Sequence, residues 1–164
     1  MNVFFLTEFI RGLDLFDVIR ELGLLSRYDS QFYVGSIILG IEYLHSRNII
    51  YRDMKPENVM VDDKGFAKVI DMGTCKILKK SGHRTFTIIG TPTYMAPEVL
   101  SGKGYTFSAD FWSIGVCLYE FVCGYLPFGE NTDDPYEIYS EILTKKLQFP
   151  SYVKDKKAKR FIEQ

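Results

Sequence analysis

Twenty lysines and arginines against 21 aspartates and glutamates leave this 164-residue chain with a formal net charge of −1. It therefore lacks the one-sided field that would draw it to nucleic acid or to an anionic membrane, and a nucleic-acid partner is not expected. It also lacks a membrane-spanning run: the longest apolar stretch, FYVGSIILGIEYL, falls far short of the roughly 20 residues a span needs and contains Glu42. No charged segment precedes a long apolar one at the amino terminus, so no secretory signal is read there. Cysteine is scarce, with only Cys75, Cys117 and Cys123. Their odd number, the absence of metal-ligand spacing and the apolar helical pattern around two of them predict free thiols in a reducing compartment. A cytoplasmic location follows as the expectation, with any membrane attachment left to regions outside this chain. The 13 glycines nowhere spell G-x-G-x-x-G.

What is present is the ordinary balance of a globular domain, 46% apolar and 25% charged, at a length suited to one compact core. NVFFLTEF reads as a short β-strand, and LDLFDVIREL repeats Leu15, Ile19 and Leu22 at helical spacing. From Ser30 onward, Tyr33, Ile37, Ile41 and Leu44 form the stripe of a mostly buried helix, with His45 and Arg47 in its last turn. VMVDDKGFAKVI is a hairpin with a loop of about four residues. Residues 74–107 show little periodicity, which in a compact domain marks a functional or mobile loop. SADFWSIGVCLYEFVCG is apolar nearly all round and predicts a central helix capped by Gly124. Asp134, Pro135 and Glu137 read as N-cap, first residue and capping-box partner of the next helix. The basic run KDKKAKR at 154–160 fits a solvated helix face, or a local anion-binding surface.

The densest polar cluster lies in NIIYRDMKPENVMVDDKGFAKVIDMG, residues 48–73. Arg52-Asp53 is followed five residues later by Asn58, then by the hairpin, then by Asp71-Met72-Gly73, and further on by Ala96-Pro97-Glu98. Taken singly, an aspartate in a loop usually caps a helix or closes a turn. In this order, however, YRDMKPEN, DMG and APE resemble the protein-kinase motifs H-R-D-L-x-x-x-N, D-F-G and A-P-E. GTPTYMAPE and DFWSIG extend the likeness along essentially the whole chain.

The resemblance implies a mainly α fold with a small β hairpin, the C-terminal lobe of an α+β kinase fold lacking most of its small lobe. Residues 1–13 would be the last small-lobe strand and the hinge, and residues 14–164 the large lobe, stopping before its final helices. It implies phosphoryl transfer from ATP with Mg2+, a reaction in which positioning and charge stabilisation dominate. Asp53 would be the base, Lys55 would offset charge on the transferring phosphoryl group, and Thr91 would hydrogen-bond both; Lys55 favours serine and threonine acceptors. Asn58 and Asp71 would hold the metal with hard oxygen donors. The backbone of Glu8 to Ile10 would meet the adenine edge, with Thr7 as gatekeeper, Met60 beneath the purine and Asp14 near the ribose. Glu57 also borders the nucleotide, and with Glu120 would contact basic residues ahead of the acceptor in protein substrates. Asp110 would hold the catalytic-loop backbone. Thr87 matches the activation-segment phosphosite, where a phosphate would pair with Arg52 and Lys76.

Tyr51 in place of histidine points to the AGC group of serine/threonine kinases, and IILGIEYLHSRNIIYRDMKPENVMVDDKG with CLYEFVCGYLPFGE to cyclic-GMP-dependent kinases of single-celled eukaryotes. Cyclic nucleotide would act through domains outside this chain. Three departures accompany the likeness: there is no glycine-rich loop or strand lysine, Met72 stands for phenylalanine, and no arginine partner for Glu98 follows except Arg160, which comes too early. The 164 residues alone are accordingly expected to be inert. A non-catalytic scaffold or decoy is the alternative, and the joint presence of Asp53, Lys55, Asn58 and Asp71 argues against it.

Overall fold

The computed structural model describes residues 2–79 and 83–164. Strand β1 (Gly12–Asp14) leads into helices α1 (Leu15–Leu22) and α2 (Arg27–His45), then strand β2 (Ile49–Ile50). The hairpin β3 (Val59–Asp62) and β4 (Ala67–Val69) follows, then β5 (Lys76–Ile77) and helices α3 (Pro97–Leu100), α4 (Ser108–Cys123), α5 (Pro135–Thr144) and α6 (Lys156–Ile162). The fold is thus mainly helical with little sheet, as the sequence predicts.

The strand expected in NVFFLTEF is not formed. Residues 2–11 carry no regular structure, and Phe5 is 88% exposed. A strand needs a neighbour to satisfy its N–H and C=O groups, and this segment meets no partner strand among the described residues. Pairing begins instead at Gly12, antiparallel to β3 with Gly12 opposite Asp62 and Asp14 opposite Met60. Glycine is required at that start, since a Cβ on Gly12 would overlap the Val61 carbonyl oxygen at 1.8 Å.

The hairpin has the expected position. Asp62 closes it by accepting the amides of Lys64 and Phe66 on Oδ1, both at 2.9 Å, and Gly65 supplies the left-handed residue with φ 86°. Helix α2 begins at Arg27 rather than near Ser30, because Ser26 caps it through the amide of Asp29 at 3.2 Å. The expected stripe faces the core, with Ile37 and Ile41 buried, Tyr33 and Leu44 packed against them and Val34 joining, but the helix is not mostly buried, since Tyr28, Leu39 and Tyr43 on its other face are exposed. Gly124 ends α4 in the left-handed conformation, φ 82°, as predicted.

At α5, Asp134 does cap, accepting from the Tyr136 amide at 2.9 Å. The capping box does not close: Glu137 instead accepts the Thr132 hydroxyl at 2.6 Å, and the same hydroxyl takes the Asp134 amide. Lys156, Lys157 and Arg160 of the basic run are exposed on α6. All three cysteines are free thiols, Cys117 and Cys123 buried.

Leu15, Ile37, Ile41, Tyr51, Met54, Val59 and Phe121 form the centre of the main core, all fully shielded from water. Each such side chain contributes about 1.5–3 kcal/mol relative to exposure. Tyr51 and Met54 belong to the polar cluster's own loop, so this burial anchors the loop between α2 and α4.

Candidate active site

The catalytic-type loop is fixed from below. Asp110 opens α4 and is 1% exposed, yet its carboxylate accepts the amides of Tyr51 at 2.9 Å and Arg52 at 2.8 Å. His45, at the end of α2, lies 2.6 Å from the same carboxylate, between the rings of Phe107 and Phe111. The Tyr51 hydroxyl donates to the Ile70 carbonyl at 2.6 Å and the Thr74 hydroxyl to the Tyr51 carbonyl at 2.9 Å. These bonds tie the loop to the strand and turn that carry Asp71. They hold Arg52 at φ 74° and Asp71 at φ 55°, left-handed conformations that cost a non-glycine residue of order 1–3 kcal/mol unless the surroundings enforce them.

Above this support four predicted residues converge. The Thr91 hydroxyl donates to Asp53 Oδ1 at 2.7 Å and accepts from Lys55 Nζ at 2.9 Å. Lys55 Nζ also lies 3.9 Å from Asp53 Oδ2. The Asn58 amide donates to the Asp53 carbonyl at 2.8 Å and to its Oδ2 at 3.2 Å, which turns the amide's donor end inward and leaves its oxygen as the end able to bind a cation. Gly90 permits the approach: at φ 119° a Cβ there would stand 2.5 Å from the Arg52 carbonyl oxygen and 3.7 Å from Asp53 Oδ1.

Asp71 lines a cleft of about 590 Å³ together with Thr7, Glu8, Ile10, Met60 and Met72. Its Oδ1 accepts the Gly73 amide at 2.9 Å. Lys68 pairs with Glu8 at 2.5 Å at the exposed rim. Burial first, then the charges of Asp53, Cys75 and Asp71, push the Tyr51 phenol far above its ordinary value. Asp14 does not line this cleft; it caps α1 through the Asp17 amide at 2.8 Å.

No group of three or more histidine, cysteine, aspartate or glutamate side chains is placed to hold a metal among the described residues. Asn58 and Asp71 carry oxygen donors of the hard type that a cation such as Mg2+ takes beside water and phosphate oxygens.

Beside this lies an acidic patch. Glu120 on α4 accepts the Tyr94 hydroxyl at 2.7 Å. Burial pushes its carboxyl up, the Tyr94 bond pulls it down, and the charges of exposed Glu57 and of Glu130 raise it further.

In the segment between Gly73 and Ala96, Thr87 is exposed while its carbonyl accepts the Tyr105 hydroxyl at 2.5 Å. Lys76 Nζ donates to buried Thr85 at 3.0 Å, and Arg52 Nε to the Thr74 carbonyl at 2.6 Å. Arg52 Nη1 is buried without a partner among the described residues. Lys79 is the last residue described before Lys80, Ser81 and Gly82, which lie outside the described residues. Glu98 accepts the Ser108 hydroxyl at 3.0 Å.

Sequence reasoning missed four supporting residues. His45 was assigned to the helix dipole, and its spacing to Asp110 could not have been read along the chain. Tyr94 and Tyr105 carry no local signal, and Gly90 could have been found only from its place in the GTP stretch.

The family model for the protein kinase domain matches residues 1–164. The chain is 57% identical over 156 residues to the cGMP-dependent protein kinases of Eimeria tenella and Toxoplasma gondii, covering 95% of this chain and 15% of each relative. It is 43% identical over 148 residues to the cAMP-dependent protein kinase catalytic subunit PRKX of Mus musculus, covering 90% of this chain and 40% of that protein. The chain thus spans about a sixth of the length of the first two relatives. A matched family model of this extent, over a loop in which aspartate, lysine, asparagine and threonine already converge, settles the family: the chain belongs to the protein kinases.

Proposed function

We propose that the protein carrying this chain is a serine/threonine protein kinase that transfers the γ-phosphoryl group of ATP to hydroxyls preceded by basic residues. The observation that carries the reading is the bonding of Thr91 to both Asp53 and Lys55. In this reading the substrate hydroxyl oxygen attacks the γ-phosphorus, its proton passes to Asp53, and ADP leaves. Lys55 supplies positive charge beside the phosphoryl oxygens, and Thr91 keeps base and lysine at a fixed separation. Asn58 and Asp71 would hold Mg2+, which offsets charge on the nucleotide phosphates. Thr7, the Glu8–Ile10 backbone and Met60 would cradle the adenine.

Glu57 and Glu120 would select arginine or lysine ahead of the acceptor. A phosphate on exposed Thr87 would bring about −1.5 to −2 charge, and the unpartnered Arg52 Nη1 and Lys76 would receive it. Regulation by cyclic nucleotide, cyclic GMP foremost, is inferred from the names of the relatives and would act through regions outside this chain.

The intact protein should transfer phosphate from MgATP to an arginine-preceded serine peptide, more strongly with cyclic GMP than without. Asp71→Ala should abolish transfer. If the intact protein transfers none with either cyclic nucleotide, the scaffold reading replaces this one.

A further inference from the structure

Glu130 lies in the loop between α4 and α5, exposed to solvent. An exposed glutamate ordinarily swings freely in water, but this one is held, because its Oε2 accepts the Leu126 amide at 2.7 Å. The loop that carries it is held as well. Leu126 packs against the main core, and Phe128 is buried with Ile138 and Ile142 and stacks on Trp112 with ring centroids 6.1 Å apart. Glu141 of α5 accepts the Gly129 amide at 2.9 Å. The Glu130 carboxylate therefore stands in solvent at a defined place.

That place adjoins the path of a protein substrate across the site. Pro92–Tyr94 form one short helical turn. Just ahead of it the Thr91 hydroxyl bonds Asp53 at 2.7 Å, and at its end the Tyr94 hydroxyl bonds Glu120 at 2.7 Å. A peptide with its acceptor hydroxyl at Asp53 and a basic side chain at Glu120 runs along this turn. Gly129 lies against the turn's middle: a Cβ there would stand 3.2 Å from Thr93 Cγ2 and 2.7 Å from Ile138 Cγ1, at φ 72°. Glycine permits that approach, and Glu130 is the next residue. After burial and the charge of Glu57, the charge of Glu130 is among those that raise the Glu120 carboxyl.

We infer that Glu130 is a specificity residue of this kinase, taking a second basic side chain of the protein substrate beside the one that Glu57 and Glu120 take. The inference rests on the reading of Glu57 and Glu120 as the site for basic residues ahead of the acceptor. Arginine suits Glu130 better than lysine, since its planar fork of donors matches a carboxylate. The favoured substrates are then serines or threonines preceded by two basic residues. Closing the turn at Leu126 needs only an acceptor oxygen, which glutamine also has; holding a cation needs the charge.

The test measures kcat/KM of the intact protein, with cyclic GMP present, for matched serine peptides carrying no arginine, one arginine or two arginines ahead of the acceptor. The second arginine is stepped along the upstream side. Wild type should prefer two arginines to one by about two- to fivefold at the best spacing, the range of an exposed ion pair, and the preference should shrink as salt screens it. Glu130→Gln, which keeps the acceptor for Leu126, should bring the ratio of two-arginine to one-arginine peptide close to unity, through KM rather than kcat. Glu130→Lys should place the two-arginine peptide below the one-arginine peptide at low salt. A wild type that gains nothing from a second arginine at any spacing overturns the inference, as does a Glu130→Gln ratio equal to that of wild type. Either result leaves the reading of Glu57 and Glu120 standing where one arginine is preferred to none. No preference for one arginine over none overturns both.

Discussion

Replacing Asp110 with alanine tests the support of the catalytic loop at its narrowest point. The carboxylate is almost fully buried and serves the Tyr51 amide, the Arg52 amide and His45 together. Its removal leaves the buried Tyr51 N–H and the partly buried Arg52 N–H without an acceptor, a loss of roughly 2–6 kcal/mol in total at about 1–3 for each orphaned donor. Arg52 at φ 74° would then be free to relax, so part of that loss would be recovered by the loop rearranging away from its working shape. Against a typical total stability of about 5–15 kcal/mol, the change is large. The assay is urea unfolding of the intact protein combined with hydrogen exchange at Tyr51 and Arg52. Asp110→Asn, which keeps one acceptor oxygen, should fall between wild type and alanine. An Asp110→Ala protein within about 0.5 kcal/mol of wild type, the range of an ordinary surface change, with both amides still protected, would refute the reasoning.

Further outcomes follow from other parts of the site. Gly90→Ala should place a methyl 2.5 Å from the Arg52 carbonyl oxygen at a φ that disfavours alanine, and steady-state kinetics should show turnover falling at least tenfold with little change in ATP binding. Glu120→Gln should reduce kcat/KM for arginine-containing peptides much more than for matched neutral ones. Because burial holds the Glu120 carboxyl above its usual value, the folded state keeps more protons than the unfolded one in the window just above pH 4.5, and stability falls as pH rises through it. The glutamine variant should flatten that part of the stability profile, measured by denaturant unfolding at several pH values. Burial, then the charge of Asp110, push the Cys75 thiol up to about 11, so mass spectrometry after iodoacetamide treatment at pH 7–8 should find it alkylated far more slowly than a free peptide thiol.

The meeting of Asp53, Lys55, Asn58 and Thr91 was legible through the kinase resemblance that the order of the motifs carries. The helices were legible where one feature settles an end, as Gly124 does for α4 and Asp134 for α5. Two readings went astray. NVFFLTEF has β propensity, yet propensity forms no strand without a partner. Glu137 had the capping-box position, but the Thr132 hydroxyl reached it first. His45 fitted the dipole rule, while its strong contact is a carboxylate 65 residues away. The ribbon pairing Ile49–Ile50 with Lys76–Ile77 went unread because two-residue strands have no period to detect.

The most direct test of the central claim is single-turnover transfer from MgATP to an arginine-preceded serine peptide by the intact protein, wild type against Asp53→Asn. The asparagine keeps one side-chain acceptor for Thr91, and Asn58 keeps its bond to the backbone carbonyl at position 53, but the acceptor at the Oδ2 position is lost and the amide cannot take the proton. Nucleotide should therefore bind equally well in both while the transfer step falls by about 10²–10⁴, the usual contribution of a positioned base. Equal transfer rates in the two proteins would contradict the account.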